Sequence, residues 1–143
     1  MECEIPSVNS NIDEQKKYFE KCKTIAVVGC SPDDTKASNH VAEYLRDVGY
    51  KMIPIYPKGE TILGQKAYRS LSHIDEPVDM VVVFRKPAAL TAIADAVIAR
   101  GDVKVYWTQL GLVNNAAAQK VKEAGIDVVQ NYCAMVEHKA IFG

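Results

Sequence analysis

Residues 24–38 read TIAVVGCSPDDTKAS, and this stretch decides the fold. Its first five residues, TIAVV, form a short apolar run rich in β-branched side chains. Such a run suits a strand covered on both faces. Gly29 then turns the chain, and a helical pattern begins at Ala37. A dinucleotide-binding loop would continue G-x-G-x-x-G after such a strand. Here the chain continues Gly29-Cys30-Ser31-Pro32-Asp33-Asp34, without the second and third glycines.

The same alternation extends along the chain in both directions. Residues 37–48 (ASNHVAEYLRDV) read as a helix, with Val41, Tyr44, Leu45 and Val48 at helical spacing and Gly49 at its end. Residues 51–56 (KMIPIY) read as a second strand, where Pro54 removes one ladder donor and points to the sheet edge. Residues 57–60 form a loop, and 62–64 begin a connection to a single helical turn at 70–74. Residues 79–84 (DMVVVF) are a third buried strand. Residues 87–100 are a helix with proline in its first turn and Gly101 after its end. A fourth strand at 103–107, a helix at 114–124 closed by Gly125, and a fifth strand at 126–129 follow. The tail, 131–143, carries a last turn around 135–139.

Upstream, residues 1–9 read as a frayed arm. Ser10 or Asn11 caps a helix reaching Lys23, with Ile12, Tyr18, Phe19 and Cys22 on its apolar side. Strands alternating with helices imply βαβ units, hence a parallel sheet with right-handed crossovers. The expectation is an α/β Rossmann-like three-layer sandwich: a five-stranded parallel sheet in a single domain, residues 10–143, preceded by the arm.

Bulk numbers narrow the function. The 143 residues carry 17 basic and 18 acidic side chains, a net charge of −1. That balance gives no general attraction to nucleic acid or to an acidic membrane. The cysteines Cys3, Cys22, Cys30 and Cys133 show no CxxC or CxxH spacing, so no structural zinc or other metal site is expected. The start, MECEIPSVNS, is unlike a secretory signal, and no apolar run reaches the ~20 residues of a membrane helix. A reduced, cytoplasmic setting fits free thiols.

Ligands of an open parallel sheet sit beyond the carboxyl ends of its strands. The residues placed there are Gly29, Cys30 and Ser31; Pro57 and Lys58; Arg85 and Lys86; Thr108, Gln109, Leu110 and Gly111; and Asn131, Tyr132 and Cys133. This rim is basic and rich in amides and hydroxyls. It has no paired carboxylates and no Ser/His/Asp set, so it suits phosphate binding better than bond cleavage. Arg85 is the strongest candidate, because its guanidinium follows the buried VVVF run directly and suits bidentate phosphate contact. Lys36 offsets Asp33 and Asp34 near the helix start, where the two acids cap or solvate the turn. An NAD-type site would want an acid at the end of the second strand. The chain offers Lys58 there instead, which prefers a phosphate.

The ordered segments IAVVGCS, AEYLRDVGY, IPIYPKGETILGQKAYRSL, PVDMVVVFRKP, TQLGLVNNAAAQKVKEAGIDVV and NYCAMVEH cover roughly residues 22–138. In this order and spacing they resemble the small stand-alone CoA-binding domain proteins, which are similar to the CoA-binding part of the succinyl-CoA synthetase alpha subunit. The resemblance implies that coenzyme A or an acyl-CoA binds at the strand ends. It places Gly29, Cys30 and Ser31 on the loop that approaches the diphosphate; Lys36, near the helix start, is counted among the ligand-binding residues beside them. Pro57 and Lys58 fall near the nucleotide and its 3′-phosphate; Val83, Phe84 and Arg85 flank adenosine and pantetheine; Gln109 and Gly111 form the turn after strand four. The family's closing Asn-Arg-Cys is here Asn131-Tyr132-Cys133, which lacks the basic side chain. The resemblance implies no catalysis: the phosphorylated histidine of the synthetase belongs to a further domain, and His40, His73 and His138 do not substitute for it.

A carrier, sensor or regulatory CoA-binding protein is therefore the leading reading. An NADP-dependent oxidoreductase is one alternative. Thiol chemistry through Cys30 or Cys133 is another, with Glu137 and His138 close enough in sequence to suggest a Cys–His pair. A homo-oligomer or a protein partner stays open.

Overall fold

In the computed structural model, which describes residues 5–143, the opening run becomes strand β1 (Thr24–Val28) at the second position of a parallel sheet. The sheet is completed by β2 (Lys51–Ile55), β5 (Met80–Val83), β6 (Val105–Thr108) and β7 (Asp127–Val129), in the order β2-β1-β5-β6-β7. The expected five-stranded parallel sheet is thus present. β2 lies at its edge, where Pro54 is tolerated. The order reverses between β1 and β5: β1 leads outward to β2, and the chain then returns to β5 on the other side of β1.

The period-2 alternation of the strands divides the core. Ile25, Val27, Met80, Val82, Val105 and Trp107 face helices α1 (Ile12–Lys21), α2 (Ala37–Asp47) and α5 (Ala134–Phe142). Ala26, Val28, Val81, Val83 and Tyr106 face α3 (Leu90–Arg100) and α4 (Asn115–Glu123). Every residue of β5 is fully buried, as a strand between two helical layers requires. Burying one such side chain contributes roughly 1.5–3 kcal/mol. The exposed Lys120–Asp95 pair at 2.7 Å contributes well under about 1 kcal/mol. The fold is therefore held by its two apolar layers.

Several boundaries differ from the sequence reading. The helix expected at 87–100 begins as a 3₁₀ turn, Pro87–Ala89, and becomes α3 at Leu90. The fourth strand starts later than expected and includes Thr108. The last turn extends into α5. The connection at 62–64 is the bend of a small antiparallel hairpin, β3 (Thr61–Ile62) and β4 (Gln65–Lys66). Leu63 and Gly64 both have positive φ, 53° and 76°, as a two-residue hairpin turn demands. The Arg46 guanidinium donates to the Leu63 carbonyl at 3.0 Å and ties this turn to α2.

Asn11 is the cap of α1, and with Glu14 it forms a reciprocal capping box. Tyr18, Phe19 and Cys22 are buried as expected, whereas Ile12 and Val48 are exposed. Residues 1–4 of the expected arm, Cys3 among them, lie outside the described residues; within 5–9, Val8 and Asn9 are tied to Gln130. Asn9 exchanges hydrogen bonds with the backbone of Gln130 at 2.8 and 3.0 Å, and the Gln130 amide donates to the Val8 carbonyl at 2.9 Å. The Ser10 hydroxyl donates to the Val128 carbonyl at 2.7 Å. These contacts cover the outer edge of β7. No helix among the described residues is long and apolar enough to cross a membrane.

Candidate functional site

Because all five strands run the same way, the helices that follow them start at the same edge of the sheet. Their positive ends therefore gather around the carboxyl ends of the strands. A cleft of about 790 Å³ opens there, at the reversal in strand order. Its walls come from the loop after β1 (Gly29, Ser31, Lys36, Ala37, Ser38), the end of β5 (Phe84, Arg85, Lys86) and the loop after β6 (Gln109, Leu110, Leu112). Val41, Tyr56 and Cys133 complete it. A second cleft of about 510 Å³ adjoins it, lined by Ile55, Pro57, Arg69, Leu71, Ile93 and others. Gly29, Tyr56 and Arg85 line both, so the two form one trough with Arg85 at the join.

The turn after β1 is built by its own backbone. Gly29 has φ +85°, and a Cβ there would stand 2.1 Å from the Phe84 carbonyl oxygen. The N–H groups of Gly29 and Cys30 both donate to the Ile55 carbonyl, at 2.9 and 3.1 Å. The turn's glycine thus serves the close approach of β1, β2 and β5, and its first two amides are already engaged. Ser31 follows with its N–H on the Ser38 hydroxyl at 3.0 Å and its carbonyl taking the Asn39 amide at 2.9 Å. The Ser31 hydroxyl accepts from the Asp33 N–H at 3.1 Å, which leaves its own proton for a ligand. Asp33 caps the turn as expected: the hydroxyl and N–H of Thr35 donate to its carboxylate and hold its pKa below the ordinary value.

Helix α2 then begins without a side-chain cap at Lys36. The N–H groups of Ala37 and Ser38 find no partner among the described residues, and both residues line the cleft. Lys36, Arg85 and Lys86 make no ion pair among the described residues, and no Asp or Glu lines the cleft. Gln109 lies on the opposite wall. It is 4% exposed, and its side-chain Nε2 has no hydrogen-bond partner among the described residues. A buried amide left unpaired costs about 1–3 kcal/mol and calls for an acceptor.

The structure brings Gly29, Ser31, Lys36, Phe84, Arg85 and Gln109 to this cleft, and Pro57 to its neighbour. It does not bring the rest. The Cys30 side chain turns back into the core beside Val41 and Ala42, fully buried, and burial pushes its thiol up to about 11. Val83 is equally buried, on the α3 face of β5. Lys58 is exposed on its loop and lines neither cleft. Gly111 likewise stands outside both; its N–H donates to Asn131 Oδ1 at 2.7 Å and ties two loops together. The suggested Cys133–His138 pair is absent. His138 Nδ1 meets the Tyr44 hydroxyl at 2.7 Å, its ring packs among Phe19, Tyr50 and Phe142, and burial lowers its pKa. Glu137 beside it is half-buried, and burial raises its carboxyl above the ordinary value.

Sequence reading missed Arg69. Its guanidinium donates to the carbonyls of Tyr56 and Gly59 at 2.9 and 2.6 Å, and so holds the loop that carries Lys58. The signal lies in a single parallel bridge between Ile55 and Tyr68, which a sequence pattern does not display. Tyr132, where an arginine was expected, lines neither cleft; its carbonyl accepts the Trp107 indole N–H at 2.8 Å, a contact any side chain there would permit.

Fold and cleft together define a Rossmann-like α/β domain with its opening at the carboxyl ends of a parallel sheet. Within that class the chain belongs to the CoA binding domain family, whose pattern matches residues 23–139. It is 39% identical over 130 residues to the uncharacterized protein YneT of Bacillus subtilis (strain 168), spanning 91% of this chain and 96% of that one. A solved hypothetical protein from Pyrococcus horikoshii OT3 is 34% identical, with a TM-score of 0.90 and 100% of both chains covered. Over 121 residues the chain is also 32% identical to ADP-forming acetate–CoA ligase I of Archaeoglobus fulgidus, covering 85% of this chain but 16% of the ligase.

Proposed function

We propose that this protein binds coenzyme A or an acyl-CoA along the trough, as a carrier, sensor or regulatory partner rather than a bond-breaking enzyme. The observation that carries this reading is the make-up of the larger cleft among the described residues: unpaired Lys36, Arg85 and Lys86, two open amides at the start of α2, and no carboxylate. A diphosphate satisfies all three at once. Arg85, at the join of the clefts, suits the phosphates. The more enclosed apolar walls around Ile55, Pro57 and Ile93 suit the adenosine, and the side toward Gln109 suits pantetheine, whose amides can accept from Nε2. Membership of the family and the shared region with a CoA ligase support the same ligand.

An NADP reading fits less well. A dinucleotide fold offers the N–H groups of its first glycine turn to the pyrophosphate, but here the N–H groups of Gly29 and Cys30 are both taken by the Ile55 carbonyl. Calorimetry with CoA, acetyl-CoA, NAD and NADP tests the proposal. The expected result is binding of CoA species with NAD and NADP at least tenfold weaker; tighter NAD or NADP binding than every CoA species overturns it.

A further inference from the structure

Three cysteines are described, and the fold treats them differently. Cys22 and Cys30 are buried in the apolar layer, with thiols pushed up to about 12 and about 11 by burial. Cys133 is half-exposed, stands on the wall of the larger cleft, and occupies the cap position of α5 without using its side chain as a cap. Its sulfur is therefore uncommitted. On the same cleft lies Gln109, whose buried Nε2 has no partner and so points independently to a ligand that enters this side. Lys36 and Arg85, the anchors for phosphate, stand on the loops after β1 and β5, and Cys133, which follows β7, lines the same cleft, brought there by α5 packing beside α2 through Tyr44 and His138. A ligand held through its phosphates at Lys36 and Arg85, with its sulfur arm running along this cleft toward Gln109, passes the Cys133 sulfur.

We propose that Cys133 is a thiol–disulfide exchange site for CoA disulfides, and that the exchange leaves CoA covalently attached in the cleft. This rests on the reading that CoA occupies the cleft. In the step, the Cys133 thiolate attacks the CoA sulfur of a disulfide formed between CoA and a second thiol. The Cys133–CoA S–S bond forms as the original S–S bond breaks. The second thiol departs as a thiolate and takes up the proton that Cys133 released. One disulfide is consumed and one is made, so no further oxidant is required.

The test treats the reduced, full-length protein with CoA disulfide and, separately, with glutathione disulfide, and follows intact mass without reductant. Calorimetry with reduced CoA in the presence of reductant runs alongside. The expected result is a CoA adduct that maps to Cys133 in the wild-type protein, is removed by dithiothreitol, and is absent in Cys133→Ser. It should form about tenfold faster or more than the glutathione adduct, the gain expected when both sulfurs are held in one site. Equal rates with the two disulfides overturn the proposal, because Cys133 is then merely accessible. So does an adduct that maps to another cysteine. Absence of any adduct while calorimetry records CoA binding overturns the exchange and spares the binding function; absence of CoA binding in calorimetry overturns the binding function itself.

Discussion

Gly29 and Phe84 occupy space that only glycine permits: a methyl group on Gly29 would lie 2.1 Å from the Phe84 carbonyl oxygen, with Arg85 Cδ at 3.1 Å. The contact locks the end of β1 against the end of β5, and so sets where Arg85 emerges. Gly29→Ala combines a positive φ, which costs about 1–2 kcal/mol, with a backbone clash of about 1–3 kcal/mol. The expected loss is roughly 2–5 kcal/mol, read as a lower urea midpoint with an unchanged slope. A loss under about 0.5 kcal/mol would show that the two strand ends separate freely.

Arg85 and Lys58 separate two accounts of phosphate recognition. Arg85 stands at the join of the clefts without an ion-pair partner among the described residues, whereas Lys58 is exposed and lines neither. Arg85→Ala should weaken CoA roughly 10–100-fold, the worth of a charge-assisted hydrogen bond. Lys58→Ala should weaken it less than about fivefold, as a solvated charge does. Titrations at low and high salt check both, and the reverse order would return the phosphate to the Lys58 loop.

Gln109→Met puts stability and binding in opposition. The substitution removes a buried N–H that has no partner among the described residues, so the variant should be as stable as the wild type or about 1 kcal/mol more so. The same change deletes the donor offered to pantetheine, and CoA affinity should fall. A variant that loses stability without losing affinity would mean the amide serves the fold.

The apolar runs TIAVV and MVVV announce strands because both faces are covered, and Pro54 announces the edge because a central strand cannot spare its N–H. The hairpin at β3 and β4 is silent in sequence. Each strand has two residues, and the turn needs Leu63 at φ 53°, a conformation that leucine rarely takes. Asn9 looked frayed because its partner, Gln130, lies 121 residues away. At the site, Arg85 was legible because it leaves a buried strand at a known edge. Cys30 was not. Whether the residue after Gly29 faces the cleft or the core depends on how the turn folds back, and here its N–H follows Gly29's onto Ile55 and its side chain joins Val41.

Burial of the Cys22 and Cys30 thiols makes the fold sensitive to alkali. Their folded pKa values are pushed up to about 12 and about 11 from an ordinary 9.0, so the unfolded chain releases those protons first. The stabilisation is whole below about pH 9 and is lost as pH rises toward 11 and 12. Denaturation midpoints should fall across that window, and Cys30→Ala should reduce the fall. In the native protein at pH 8, a thiol reagent should label Cys133 and reach Cys22 and Cys30 only on unfolding. Early labelling of Cys30 would contradict its burial.

His138 gives the opposite slope on the acid side. Burial holds its folded pKa below the ordinary 6.5, in a bed of Phe19, Tyr50 and Phe142 with Tyr44 on Nδ1. Asp34 and Glu137 are no partners for it; the first contacts His40 through its carbonyl, and the second is itself driven toward its neutral form by burial. The unfolded chain therefore takes up a proton near pH 6.5 that the native ring resists. The stability that His138 contributes is present above that pH and is lost as pH falls toward its folded pKa. Denaturant midpoints from pH 7.5 to 5 should decline in the wild type and stay flatter in His138→Phe. That variant keeps the aromatic packing and gives up the Tyr44 bond, so it should start about 1 kcal/mol lower at pH 7.5. An equal decline in both proteins would assign the acid sensitivity to another group.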